Sequence, residues 1–378
     1  MPVSADEFPL HQAPLSFARA ASSDRNFYDR WYFNAHDRTG DVYLITGAGV
    51  YPNLGVRDAF ALVRQGDKQW SLRCSDALED RDTDFAVGPY RIEIQQPLQR
   101  IRLICDADQT HVDEGAAIGF DLTWEGSFPA LDEQRHLMLS GKRPILDAQR
   151  FAQLGSWSGT LRVDGAEHVV EPEVWMGSRD RSWGIRPVGE AEPPGRAADE
   201  PLEGFWWLYV PLRFDDFAVV VICQEQPDGH RTLNDAGRVF ADGRVEQLGW
   251  PEVEVRYQPG TRIPTGATIG LQPRNGPKVT LEVDSRGYIP LHIGGGYGGD
   301  QTWAHGSWRG RKWVEGAVHD LTDPAIAGFI PFGVIDHVGR ARWDDGSGDT
   351  REGWGLFEHG TFGRHDPSGF ADWGSVSP

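Results

Sequence analysis

Cysteine is scarce. Cys74, Cys105 and Cys223 are odd in number and widely spaced, which fits neither a disulfide framework nor a CxxC metal or redox motif. All three are expected to be reduced and buried. Metal-ligand spacing is missing as well: the twelve His are scattered and no HxH, HxxxH or HExxH occurs, so no metal site is expected. GxSxG is absent, which excludes the nucleophile elbow of an α/β-hydrolase. Gly294 to Gly299, GGGYGG, lacks the Lys-Ser/Thr ending of a phosphate loop and reads as a glycine-rich turn. Neither a metal nor a nucleotide cofactor is expected.

Positive charge is also in short supply. Against 56 Asp and Glu there are 37 Lys and Arg, a net charge of -19, and such a surface repels nucleic acid and anionic lipid. No apolar stretch approaches the ~20 residues of a membrane span. The opening segment MPVSADEFPLHQAPLSFARA has early acids and no apolar run of signal-peptide length. The expectation is a cytoplasmic protein with no nucleic-acid partner and no membrane span. Helical patterns are few, chiefly Pro144 to Leu154 and Asp323 to Phe329, so the crossovers of a parallel sheet are lacking.

What is abundant is Trp, at 15, with 46 Gly and 25 Pro. Large flat apolar walls and turns that need positive φ suit β structure. Period-2 alternation confirms that direction: Phe120, Leu122, Trp124, Gly126 and Phe128 share one face, the pattern of a half-buried strand. It recurs at Ile101, Leu103 and Cys105, at Val253, Val255 and Tyr257, and at Val279, Leu281 and Val283. Between such runs lie Asp164-Gly165, Asp228-Gly229 and Asp242-Gly243, dipeptides that tight antiparallel hairpins favour. The fold class is all-β with few short helices. At 378 residues the chain exceeds the usual span of one core. Val188 to Leu202, rich in charge, Pro and Ala, breaks the pattern and reads as a linker or lid. The expected division is an N-terminal β domain over 1–185, a mobile linker or lid over 186–202, and a C-terminal β domain over 203–378.

Three segments carry a resemblance. Tyr28 to Asp37, YDRWYFNAHD, resembles the acid-Trp-Trp-Tyr segment of the carotenoid hydratase (hydroxyneurosporene synthase) and AttH-like proteins. Arg179 to Arg186, RDRSWGIR, resembles their Asp-His-Asn-Trp-Gly segment, and is closer to the Arg-Asp-Arg/His-Ser-Trp-Gly version of uncharacterised bacterial relatives. Gly353 to Gly360, GWGLFEHG, is similar to the C-terminal strand of those relatives. The resemblance implies two lipocalin-like antiparallel β-barrel or sandwich domains. It also implies cofactor-free chemistry on hydrophobic molecules: hydration of isoprenoid double bonds, cyclisation of prenylated phenols or pericyclic ring closure. Arg181 stands where the hydratases have a His that looks catalytic, and Arg cannot act as an acid near neutral pH. Trp183 and Asp180 match, as do Trp31 and Tyr32, with Arg30 replacing the first Trp of the opening segment. The hydratases' Tyr-x-Asp pair finds its nearest match in Cys223-Gln224-Glu225, which keeps the acid alone.

Addition of water to an alkene, or cyclisation onto one, needs a carboxylic acid kept protonated by burial and aromatic faces near the cation that forms. Glu225, following the apolar run AVVVIC, is one candidate for the raised acid, and Glu358 is another if it, rather than His359, points inward. Asp180 lies between Arg179 and Arg181, so an ion pair with a lowered pKa is expected of it. The catalytic candidates are Glu225, Asp180, Trp183 and Glu358. The substrate-binding candidates are Trp31, Tyr32, His36, Tyr51, Arg181, Trp207 and His359.

The reading favoured on these grounds is a cofactor-independent hydratase or dehydratase, isomerase or cyclase acting on a terpenoid-, steroid- or polyketide-like molecule in an aromatic-lined cavity. The alternative is a non-catalytic lipocalin-like carrier of a hydrophobic ligand. A sugar-processing β protein is disfavoured by the missing secretion signal. The partners expected are a hydrophobic small molecule and, as an option left open, a second copy of the chain in a homodimer.

Overall fold

The computed structural model describes residues 2–9, 22–79, 85–107, 111–113, 116–140, 143–191, 203–298 and 302–378. Among these, every strand pairing is antiparallel, and the strands form two curled sheets. The first runs outward from Phe27–His36. On one side lie Val42–Tyr51, Val56–Gln65 and Lys68–Ala77; on the other lie Met176–Ile185, Arg143–Val163, Ile118–Gly126, Arg100–Asp106, Tyr90–Gln96 and Phe85–Val87. Phe85–Val87 packs back against Val56–Gln65 and Lys68–Ala77, so the sheet curls towards a barrel. Its outer edge is completed by Trp313–Asp320, a strand from the second half of the chain that pairs with Lys68–Ala77. In the second sheet, Gly204–Arg213 and Thr350–Gly363 are central, flanked by Phe217–Glu225 and Arg231–Phe240 on one side and by Ile335–Asp344, Val279–Pro290 and Pro264–Leu271 on the other. The protein is thus an all-β, two-sheet fold of lipocalin-like form.

Alternation along each strand explains how these sheets bury two surfaces at once. In Phe27–His36, Trp31, Phe33 and Ala35 join the interior of the first barrel with Trp124, Trp157 and Tyr90. Tyr32 turns to the other face and meets side chains of the second sheet. Trp206 and Trp207 divide in the same way: Trp206 enters the second barrel's interior with Leu208, Trp343 and Phe357, and Trp207 enters the seam. The seam core draws on both sheets, with Phe60 and Leu62 from the first and Tyr209, Val220, Ile289 and Leu356 from the second.

The strands read from the sequence over Phe120–Trp124, Ile101–Cys105 and Val279–Val283 are present, with those apolar residues fully buried. Asp164 and Gly165 have φ of 51° and 75°, both positive as a type I′ hairpin turn requires. All three cysteines are free and buried. Pro144 to Leu154 is not helical. It is part of the long strand Arg143–Val163, paired with Met176–Ile185 on one side. Two-sided burial overrides the short helical pattern: Ala152 and Leu154 face the seam while Phe151 is buried on the opposite face against Trp183. The helix near 323–329 shrinks to Pro324–Ala327, capped by Asp323, whose carboxylate accepts from the Ala325 N–H at 2.9 Å. Of the segment read as a linker or lid, residues 192–202 lie outside the described residues.

Candidate functional site

A cavity of about 360 Å³ opens in the seam between the two sheets. Its floor is laid by three neighbouring strands of the first sheet, which contribute Tyr28, Arg30 and Tyr32, then Asp180 and Ser182, then Ala148 and Arg150. The second sheet supplies Phe205, Trp207 and Glu358 from its central strands. Loops close the sides with Glu133, Arg186, Leu291, Tyr297 and Val334, and His136 enters from the strand His136–Ser140.

Glu358 and Asp336 sit directly opposite each other on adjacent strands. Burial raises both carboxyl pKa values; for Asp336 the repulsion of Glu358 adds to it. Two carboxylates cannot both ionise in so dry a place, and Asp336 Oδ1 is buried with no donor. The raised pKa values favour a protonated carboxyl in the pair. The pair is braced from both ends: Tyr32 Oη donates to Asp336 Oδ2 at 2.5 Å, and Trp207 Nε1 donates to Glu358. Asp336 is wholly buried, while Glu358 lines the cavity.

Asp180 stands across the floor from Tyr32, its direct partner on the neighbouring strand. Its pKa is pushed up to about 6, chiefly by burial; Arg150 pulls it down and Glu358 pushes it up. This differs from the lowered value expected of it. Arg179 and Arg181 flank Asp180 in sequence but lie on the opposite face of the strand, where Arg179 binds Glu7 at 2.7 Å and Arg181 binds Asp29 at 2.6 Å. Alternation, not sequence proximity, decides the neighbours of a strand residue.

Arg150 Nε donates to Glu133 Oε2 at 2.5 Å, and its guanidinium lies 4.3 Å above the Tyr209 ring. Glu133 nonetheless has a raised pKa, because burial outweighs Arg150. His136 stacks on Trp207 with ring centroids 5.2 Å apart, and burial lowers its pKa to about 4, so it is neutral near pH 7. At the other end of the floor, Arg30 Nη2 meets His305 Nε2 at 3.0 Å. Behind them Asp58 accepts from the Gly306 N–H at 2.7 Å and from Tyr51 Oη at 3.1 Å, and burial pushes its pKa up to about 6.

Of the residues singled out from the sequence, the structure brings Asp180, Tyr32, Trp207 and Glu358 together on the cavity. Trp31 also reaches its wall, but the ring packs inside the first barrel against Phe85 at 5.1 Å, beneath Arg181 at 3.9 Å. Arg181 is therefore a barrel-interior residue, and Trp183 packs against Phe151 on that same side of the strand. Tyr51 supports Asp58, and His36 packs edge-on against Tyr43, its ring held neutral by burial with a pKa of about 3. His359 points away from Glu358, bonded to the Trp207 carbonyl at 2.6 Å and to Tyr257 Oη at 2.9 Å.

Glu225 requires correction as the raised acid. It binds Arg231 at 2.9 Å and His365 at 3.0 Å, and these partners lower its pKa although burial opposes them. Its neighbour Gln224 takes the seam-facing position and bonds His136. Sequence reading missed Asp336, Glu133 and Arg150. The signal available was an acid and a His inside the apolar run Val334-Ile335-Asp336-His337-Val338, an ionisable pair where a core strand has no need of one.

Two curled antiparallel sheets packed across a cavity define a two-domain lipocalin-like β protein. By sequence the chain matches a family of unknown function (DUF8625) over residues 3–371, and it belongs to that family. No curated protein matches it. Among solved structures, a protein described as an AttH from Nitrosomonas europaea is similar at TM-score 0.53 and 12% identity, over 88% of this chain and 92% of that one. CghA is similar at TM-score 0.54 and 15% identity, over 95% and 92%. Kievitone hydratase from Nectria haematococca aligns at TM-score 0.49 and 14% identity, over 92% and 93%. The AttH and CghA likenesses show the shared fold.

Proposed function

We propose that the seam cavity is the active site of a cofactor-independent acid–base enzyme: a hydratase or dehydratase, isomerase or cyclase acting on a hydrophobic small molecule. The observation that carries this reading is the Glu358–Asp336 pair, two carboxyls on adjacent strands whose pKa values burial raises, with Glu358 at the wall of an aromatic-lined cavity. A carrier gains nothing from such a pair, since an uncompensated buried carboxyl costs stability. In hydration, Glu358 gives its proton to one carbon of a double bond, and water bonds to the other carbon. Asp180 takes the proton that water loses, and proton exchange with solvent resets both groups. Omitting water leaves isomerisation, in which Asp180 removes a different proton, or ring closure by an internal nucleophile. Positioned acid and base groups of this kind are worth roughly 10²–10⁴-fold in rate.

The test is incubation of the protein with host-cell lipid extract in deuterated water, followed by mass spectrometry of the extracted small molecules. A compound that gains deuterium, with or without one water, is expected from the unmodified protein and not from Glu358→Gln. A bound compound recovered unchanged from both proteins would establish a carrier instead.

A further inference from the structure

The floor of the cavity carries a row of charge that proton transfer to an isolated alkene does not need. Arg30, Ser182 and Arg150 are direct partners across three adjacent strands, so the two guanidinium arms rise on either side of one small hydroxyl. The next row out is Tyr28, Gly184 and Ala148, again small at its centre. A third cation, Arg186, stands at the edge of the same cavity.

Arg30 and Arg150 have donors to spare. Arg30 is buried, meets only the neutral ring of His305 with its Nη2, and leaves Nε without a partner. Arg150 commits Nε to Glu133 and leaves Nη2 buried and unpartnered. Among the described residues neither Arg30 nor Arg186 has a carboxylate within 4 Å of its guanidinium. A buried donor without a partner is destabilising, the more so when charged, and a bound oxygen removes that cost. Three cations around a small cavity also oppose a carbocation and favour negative charge developing on the substrate.

Resting on the acid–base reading above, we propose that the substrate carries an anionic oxygen group, a carboxylate or the oxygen of an enolate, seated between Arg30 and Arg150 over Ser182. Two residues along a strand span roughly 6.6 Å, so an oxygen on this row places carbons two to four bonds away beside Asp180 and Tyr32. For an unsaturated carbonyl compound the electron flow is then as follows. Asp180 takes a proton from water, the water oxygen bonds to the β-carbon, and the C=C electrons move to give an enolate whose oxygen the arginines hold. Collapse of the enolate draws the Glu358 proton onto the α-carbon. The sum is substrate plus water, and the reverse sequence is dehydration.

Two fluorescent probes with one aromatic body test the assignment: 8-anilinonaphthalene-1-sulfonate, which is anionic, and N-phenyl-1-naphthylamine, which is neutral. The full-length protein is expected to bind the anionic probe at least tenfold more tightly. Ser182→Asp places a carboxylate between the arginines; it should remove that preference, leave the neutral probe within about twofold, and raise the melting temperature by filling the site internally. Arg30→Gln should weaken the anionic probe alone. Equal affinity for both probes, or equal loss of both in Ser182→Asp, overturns anion recognition while leaving the deuterium test of Glu358 untouched. Binding of neither probe overturns the inference together with the cavity on which it rests.

Discussion

The barrel interiors and the seam between them are built from the same strands, yet they treat charge in opposite ways. Inside the first barrel Arg179 and Arg181 each close on a carboxylate, Glu7 and Asp29, and both pairs are fully buried. In the seam Arg30 and Arg150 keep buried donors without partners, and Glu358 and Asp336, both with pKa values raised by burial, face each other on adjacent strands. One face of each strand is finished by packing, with Arg181 held to Asp29 by charge although its nitrogens lack well-aligned hydrogen bonds, and the other opens on a cavity. A strand with period 2 can do both because its two faces are independent surfaces.

The largest expected effect tests the finished side. Trp157→Ala empties the first barrel's interior, where the Trp157 Nε1–H donates to the Asn34 carbonyl at 2.8 Å. It should cost about 3–5 kcal/mol in urea unfolding while leaving probe affinity of the folded fraction unchanged. A comparable loss of probe affinity would erase the distinction between interior and seam.

Next in size is Asp180→Asn. The folded-state pKa is raised from 3.8 to about 6, so the protonated form is favoured by folding. That stability is present below pH 4 and lost as pH rises through 6. At about 1.4 kcal/mol per unit, the carboxylate costs about 3 kcal/mol at pH 8. Asp180→Asn should therefore gain stability over the native protein between pH 4 and pH 6 and hold the gain above, as read by unfolding curves across pH. A flat difference would mean that the seam floor is as wet as the surface.

The smallest effect is on Trp207→Phe, which keeps the ring in the seam core but removes the donor to Glu358. Stability should change by less than about 1.5 kcal/mol. Because that hydrogen bond favours the Glu358 carboxylate, its loss should move the alkaline limb of the activity profile to higher pH. A profile that stays in place would detach Trp207 from the acid.

Much of this was legible in the chain. Alternation at Phe120–Trp124 and the Asp-Gly turns specify antiparallel strands directly, because their physics is local. The strand over 143–163 was not legible, since its helix-like spacing loses only when two neighbouring strands are in place. The site divides along the same line. Glu358, Asp180 and Tyr32 stand in recognisable motifs, whereas Asp336 and Arg150 gain meaning only across strands, 22 residues from Glu358 and 30 from Asp180. Glu225 misled because an acid after an apolar run looks desolvated until Arg231 and His365 are placed against it.

The strand Trp313–Asp320 gives the chain a timetable. Its pairing partner ends at Ala77, and 320 less 77 leaves 243 residues to be synthesised before that edge is covered. At roughly 5–20 residues per second the ribosome takes about 12–50 s over them. For that interval the nascent first sheet offers an open row of backbone donors and acceptors, which any other nascent copy can meet. Slower translation lengthens this exposure, so the yield of soluble protein should depend on synthesis rate and on chaperones that shield β edges, quite apart from the stability of the finished molecule.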